Sequence, residues 1–82
     1  MTEAEILTKL TRILRDLLGN DGLVLGMETR RGDVPDWDSF AYVSFIVGVE
    51  IEFGVSFGVA EVESFANVGA IVRRIQALLP PS

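Results

Sequence analysis

Asp38-Ser39-Phe40 is the place in this chain where side chains could do chemistry. The serine lies between a polar, proline-containing segment, Val34-Pro35-Asp36-Trp37, and a strongly apolar stretch of helical character. A hydroxyl at such a junction could be a nucleophile or a point of covalent modification. A nucleophilic serine needs a base within hydrogen-bond reach and donors for an oxyanion. The chain has no histidine and no cysteine, and its one lysine, Lys9, falls on the polar face of the first predicted helix. No Gly-x-Ser-x-Gly elbow is present. Autonomous hydrolysis therefore finds no support, and Ser39 reads as a residue that another enzyme modifies. At the first helical position its side chain projects outward beside amides without intrahelical acceptors. An anion joined to that oxygen would lie at the positive end of the helix dipole. Taken alone, the tripeptide also fits a serine that merely starts a helix.

The elements that must position this serine are legible from period and punctuation. Thr2-Glu3-Ala4-Glu5 is a capping box. Ile6, Leu7, Leu10, Ile13, Leu14, Leu17 and Leu18 follow as a stripe of helical period, which Gly19-Asn20 ends. Lys9, Arg12, Arg15 and Asp16 take the other face. From Asn20 to Trp37 no period persists, and a loop of that length needs a reason. Its apolar residues, Leu23, Val24, Leu25 and Met27, with Trp37 at the far end, are expected to pin it across the helices. Asp38 is a good N-cap for a helix from Ser39 to about Phe53, stopped by Gly54. Val59 to Ser64 fits one or two helical turns. Asn67 caps a last helix whose apolar side is Val68, Ile71, Val72, Ile75, Leu78 and Leu79, and Pro80-Pro81 ends the regular structure. Gly69, in that helix's first turn, would allow close contact with another helix. The fold class is all-α: a small bundle of three main helices plus one short helix, with a long loop between the first and second, in one domain over residues 1–82.

Composition narrows the function classes. An apolar fraction of 49% supports a core without staples in a chain of 82 residues. Without cysteine there is neither a disulfide framework nor a thiolate metal site, and no metal site is expected. A net charge of −5 argues against nucleic acid, which demands a basic patch; Arg30-Arg31 and Arg73-Arg74 are short pairs on solvated faces. The acidic start, Met1-Thr2-Glu3-Ala4-Glu5, is unlike a secretion signal. The longest apolar run, Phe40 to Val49, is too short to span a bilayer. A cytoplasmic protein without membrane insertion is expected.

The segment Val34-Pro35-Asp36-Trp37-Asp38-Ser39-Phe40 resembles the prosthetic-group site of acyl carrier proteins, in the Trp-Asp-Ser form of discrete carriers from specialised pathways. Glu50-Ile51-Glu52-Phe53-Gly54-Val55 resembles the Glu-rich end of that family's second helix, and Asn67-Val68-Gly69 its Thr-Val-Gly opening of the last helix. The likeness extends over nearly the whole chain. It implies that Ser39, flanked by Asp38 and Phe40, carries 4′-phosphopantetheine, delivered from coenzyme A by a phosphopantetheinyl transferase. It implies acyl groups held as thioesters on the cofactor's thiol and passed among acyl-loading and acyl-transferring enzymes. The protein would be a monomeric, free-standing shuttle rather than an enzyme, in a polyketide, glyceryl or modified-lipid pathway. A peptidyl carrier would show Gly-Gly where this chain has Asp36-Trp37. A small helical interaction module without cofactor is the alternative from another class.

This chain departs from the family at Phe40, where leucine is usual, and along the second helix. At 100° per residue, Tyr42, Ile46, Val49 and Phe53 share one face, expected to be core. Phe40, Ser44, Val47 and Ile51 share the opposite face, and Ala41, Ser44 and Ile51 stand where the family carries carboxylates. A helix apolar all round is either buried or docks something. Phe40, Val47 and Ile51 are therefore candidates for apolar partner contact, with Glu50 and Glu52 (and Glu61 and Glu63) keeping a secondary electrostatic one. Tyr42, Ile46 and Phe65, with Ile71 opposite, are candidates for an acyl pocket between helices, and bulky Tyr42 and Phe45 would favour a short or polar chain.

Overall fold

The computed structural model describes residues 1–80. Four α-helices follow in order: α1 (Glu3–Leu18), α2 (Ser39–Phe53), α3 (Val59–Ser64) and α4 (Val68–Leu78). The bundle is all-helical, as the periodicity predicts. Local capping sets its boundaries. Thr2 accepts from Glu5 N–H at 3.1 Å while the Glu5 carboxylate accepts from Thr2 N–H at 2.9 Å. Gly19 and Gly54 close α1 and α2 at φ 66° and 65°, the left-handed conformation that glycine adopts without Cβ strain. Asn67 caps α4 by accepting from Ala70 N–H at 2.9 Å. Pro81, part of the expected terminal stop, lies outside the described residues.

α1 packs on both α2 and α4. The core joins Ile6, Leu10 and Leu14 of α1 to Phe45, Ile46, Val49 and Phe53 of α2 and to Val68, Ile71, Val72 and Ile75 of α4. Two expectations for α2 shift. Phe45 is fully buried, whereas Tyr42 is only half-buried. The stripe is wider than one row because the Trp37 ring closes over it, meeting Phe45 edge to face at a centroid distance of 5.2 Å.

The long loop is anchored rather than floppy. Leu23, Leu25 and Trp37 are buried, but Val24 is 75% exposed and pins nothing. The loop contains a 3-10 turn, Arg31–Asp33, that the sequence pattern did not reveal. Its middle runs across the start of α4: Val68 N–H donates to Thr29 O at 2.8 Å and Gly69 N–H to Met27 O at 2.7 Å. These are first-turn amides with no partner inside their own helix. The close approach at Gly69 is thus to loop backbone, not to another helix. A Cβ there would stand 2.6 Å from Met27 O.

α3 buries none of its residues completely. Polar links hold it. The Tyr42 hydroxyl donates to Val62 O at 2.7 Å, Arg74 pairs with Glu61, and the Glu50 carboxylate accepts from Phe57 N–H at 2.8 Å just before α3 begins. Burial pushes the Tyr42 phenol above its ordinary pKa, with the nearby Arg31 guanidinium opposing.

Three outcomes are expected on this framework. Gly69→Ala lowers stability in urea unfolding by about 1–3 kcal/mol, because the rigid carbonyl of Met27 cannot yield. Gly48→Ala, whose Cβ meets only the Ile13 methyl at 3.3 Å, stays within about 1 kcal/mol of the parent, since the gain in helix propensity offsets the contact. Tyr42 is the only tyrosine, so alkaline difference absorbance reads it alone. Its midpoint lies above the ordinary value of 10.0 and rises further in Arg31→Ala. Because the folded pKa is the raised one, the stability it contributes is complete below the unfolded pKa and is lost as pH rises through the folded one. A midpoint at or below that of free tyrosine contradicts this.

Candidate functional site

The turn before α2 separates an inward residue from an outward one. Pro35 and Asp36 occupy its centre, Trp37 N–H donates to Val34 O at 3.4 Å, and Asp36 is left-handed at φ 69°. Proline followed by a positive-φ residue is the type II pattern. Asp36 thus takes the backbone conformation natural to glycine at the very position where a peptidyl carrier has one. Trp37 then turns into the protein, at 4% exposure, while Asp38, Ser39 and Phe40 face solvent. Asp38 caps α2 by accepting from Ala41 N–H at 2.8 Å, worth typically about 1 kcal/mol. Ser39 is the first residue of α2, and its hydroxyl makes no hydrogen bond among the described residues.

Ser39 opens onto a cleft of about 780 Å³ between α2, α3 and the start of α4. All four residues expected in a pocket, Tyr42, Ile46, Phe65 and Ile71, line it. Phe57 and Phe65 flank α3 and meet edge to face at 5.4 Å, closing one wall. The loop segment Thr29 to Gly32 forms the other. Arg31 sits over the Tyr42 ring, 5.3 Å from its centroid. A cleft of this size, largely apolar with polar groups at its rim, suits a small ligand or an acyl chain. Trp37 also lines it, a role that sequence reasoning missed. Its indole N–H is the one buried side-chain polar atom without a partner among the described residues. An orphaned donor of that kind costs about 1–3 kcal/mol. The only hint in the sequence is an indole two residues before the serine.

The outer face of α2 carries Phe40 at 82%, Val43 at 58%, Val47 at 48% and Ile51 at 79% exposure. Val43 joins this stripe where Ser44 was expected; Ser44 is half-buried, because α2 is rotated to bury Phe45. Val43 and Val47 also border the cleft, so stripe and cleft share an edge. Glu50 and Glu52 are engaged within the protein. Glu50 holds Phe57 N–H, and Glu52 pairs with Arg12 at 2.5 Å and Lys9 at 3.8 Å on α1. Among the described residues no cluster of histidine, cysteine or acidic side chains could hold a metal ion, and no helix is long and apolar enough to cross a membrane.

The site joins a free hydroxyl at a helix start to the mouth of a mainly apolar cleft. No family model matches the chain. Its fold is similar to that of a holo acyl carrier protein from Geobacter metallireducens, determined in solution by NMR, with a TM-score of 0.81 and 30% sequence identity over 89% of this chain and 84% of that one. Identity at that level, sustained over most of both chains on the same helical framework, identifies the lineage: the chain belongs to the acyl carrier protein family.

Proposed function

We propose that residues 1–82 form a single carrier domain that holds acyl intermediates on a 4′-phosphopantetheine attached to Ser39. The observation that carries this reading is the exposed, unengaged hydroxyl of Ser39 at the mouth of the cleft. Loading forms a bond from Ser39 Oγ to the pantetheine-side phosphorus of coenzyme A and breaks the pyrophosphate linkage. Adenosine 3′,5′-bisphosphate leaves, and the serine proton passes to a base of the transferase, since this chain has no histidine to receive it. Once attached, the group supplies a terminal thiol for thioester formation. Asp38 and the first turn of α2 fix where that arm begins, and Tyr42, Ile46, Phe65 and Ile71 shelter the chain it bears. The protein presents cargo and catalyses nothing itself.

Partner enzymes meet the outer face of α2. Phe40, Val43, Val47 and Ile51 offer apolar contact there, while Glu50 and Glu52 keep α3 and α1 in place. A face so poor in free carboxylates supports service to a specialised pathway of polyketide, glyceryl or modified-lipid type, in the cytoplasm, as a monomer. A partner seated on this stripe sits at the rim of the cleft, where cargo leaves.

Intact mass after incubation with coenzyme A and a broad-specificity phosphopantetheinyl transferase tests attachment. The parent gains one phosphopantetheine and Ser39→Ala gains none; no gain in the folded parent overturns the reading and leaves an interaction module. Affinity for a cognate loading enzyme is expected to change little between low and high salt and to fall roughly tenfold in Phe40→Ala, as removal of an anchoring aromatic does. A steep loss with salt would instead mean recognition by charge.

A further inference from the structure

The loop wall of the cleft carries a cation, Arg31, that no acidic side chain among the described residues pairs with. The other basic side chains all have acceptors. Lys9 and Arg12 pair with Glu52, Arg15 donates to Leu23 O, Arg30 pairs with Asp33, Arg73 with Glu3 and Arg74 with Glu61. Arg31 is exposed but held in place. Asp33 N–H donates to Arg30 O at 2.9 Å and Val34 N–H to Arg31 O at 3.2 Å, which fixes the backbone on both sides of it. Its guanidinium lies over the Tyr42 ring, 5.3 Å from the centroid. A guanidinium laid on a ring face keeps the N–H groups at its edge available to an anion.

Tyr42 stands three residues after Ser39, one turn along the same face of α2. Ser39, Tyr42 and Arg31 line the one cleft. Attachment of the arm turns the Ser39 hydroxyl into a phosphodiester anion, and the groups near it are mostly acidic. Asp36 and Asp38 flank it in the turn and the cap, both exposed. Glu50 and Glu63 line the cleft, Glu50 being engaged with Phe57 N–H. The Asn67 amide offers only neutral donors, at the start of α4. We propose that Arg31 is a positioning residue for the prosthetic arm. Its guanidinium pairs with the phosphodiester on Ser39 and inclines the arm over Tyr42, into the cleft rather than across the outer face of α2. Guanidinium and phosphate match through two parallel N–H···O bonds, so the pair sets a direction as well as an attraction. This rests on the reading that Ser39 carries the arm. A carboxylate at the end of an acyl chain offers the same chemistry, and the test separates the two sources.

The phosphodiester is the only phosphorus in the holo protein, so phosphorus-31 NMR reads it alone. Wild type, Arg31→Gln, Arg31→Lys and Arg30→Gln are converted to the holo form and checked by intact mass. The phosphorus resonance is expected to move in Arg31→Gln, to return part of the way in Arg31→Lys, and to stay in place in Arg30→Gln, whose guanidinium belongs to Asp33. In nitrogen-15 spectra the Arg31 Nε–H peak, identified by its loss in Arg31→Gln, moves downfield between the apo and holo forms. A second readout is hydrolysis of a medium-length saturated thioester in mild base, from which a chain led into the cleft is protected. Wild type is protected about threefold more than Arg31→Gln at low salt, the scale of an exposed ion pair, and the difference vanishes at high salt. A phosphorus resonance unmoved in Arg31→Gln, or moved equally in Arg30→Gln, overturns the proposal. So does an Arg31 peak that moves only with carboxylate-ended cargo, which gives the residue to the cargo instead, or a difference in protection that persists at high salt. Failure of attachment is told apart by mass, and removes the carrier reading first and the proposal with it.

Discussion

The first two amides of α4 find their acceptors outside their own helix, on the carbonyls of Thr29 and Met27. Helix starts leave such donors exposed, and most are met by caps or water. Here the long loop meets them, and the rest of the arrangement depends on it. The two bonds fix the loop midway along its path, so that Thr29 to Gly32 stand as one wall of the cleft and the turn at Pro35-Asp36 delivers Ser39 to its mouth. They also explain why position 69 lacks a side chain: the carbonyl of Met27 occupies the space. An eighteen-residue stretch without helical period, from Asn20 to Trp37, becomes a rigid part of the site through two backbone contacts and three buried side chains, Leu23, Leu25 and Trp37.

α2 reconciles two uses of apolar surface. Its inner side, with Phe45 and Val49 fully buried, joins the core through Phe45, Ile46, Val49 and Phe53. Its outer side leaves Phe40 and Ile51 almost wholly in solvent. A helix this apolar can keep its orientation only if something other than amphipathicity decides which side faces in. The indole of Trp37 packs on the inner side near the start of the helix, and near its end Glu52 pairs with Arg12 and Lys9 of α1. The carboxylates near the C-terminal end of α2 thus make contacts within the bundle: Glu50 with Phe57 N–H and Glu52 with α1.

What could be read from the sequence was what local rules decide. The Thr2 box, the Asp38 and Asn67 caps and the glycine stops at positions 19 and 54 all depend on residues within a few positions of each other. Ser39 belongs to the same class, because exposure at a helix start follows from the cap. Tyr42, Ile46 and Ile71 line the cleft because they lie on the inward or flanking rows of their helices, and Phe65 because it caps the end of α3. Contacts between distant segments were out of reach. Nothing in the pattern tells that Phe45 rather than Tyr42 goes fully inside, that Val43 comes out, or that Glu50 reaches Phe57 N–H. Those outcomes follow from the rotation of α2 against α1 and from the indole laid over it, which period alone cannot supply.

α3 is attached differently from the other helices. It contributes no fully buried residue and is held by the phenol of Tyr42, the guanidinium of Arg74 and the aromatic bracket of Phe57 and Phe65. Elements with few buried contacts open before the whole domain does. The heat-capacity change of an opening scales with the apolar surface it exposes, and swinging α3 aside bares little compared with unfolding the core. The free energy of that opening therefore curves less with temperature than global stability does. The wall of the cleft that α3 forms can thus open while the rest of the bundle stays folded.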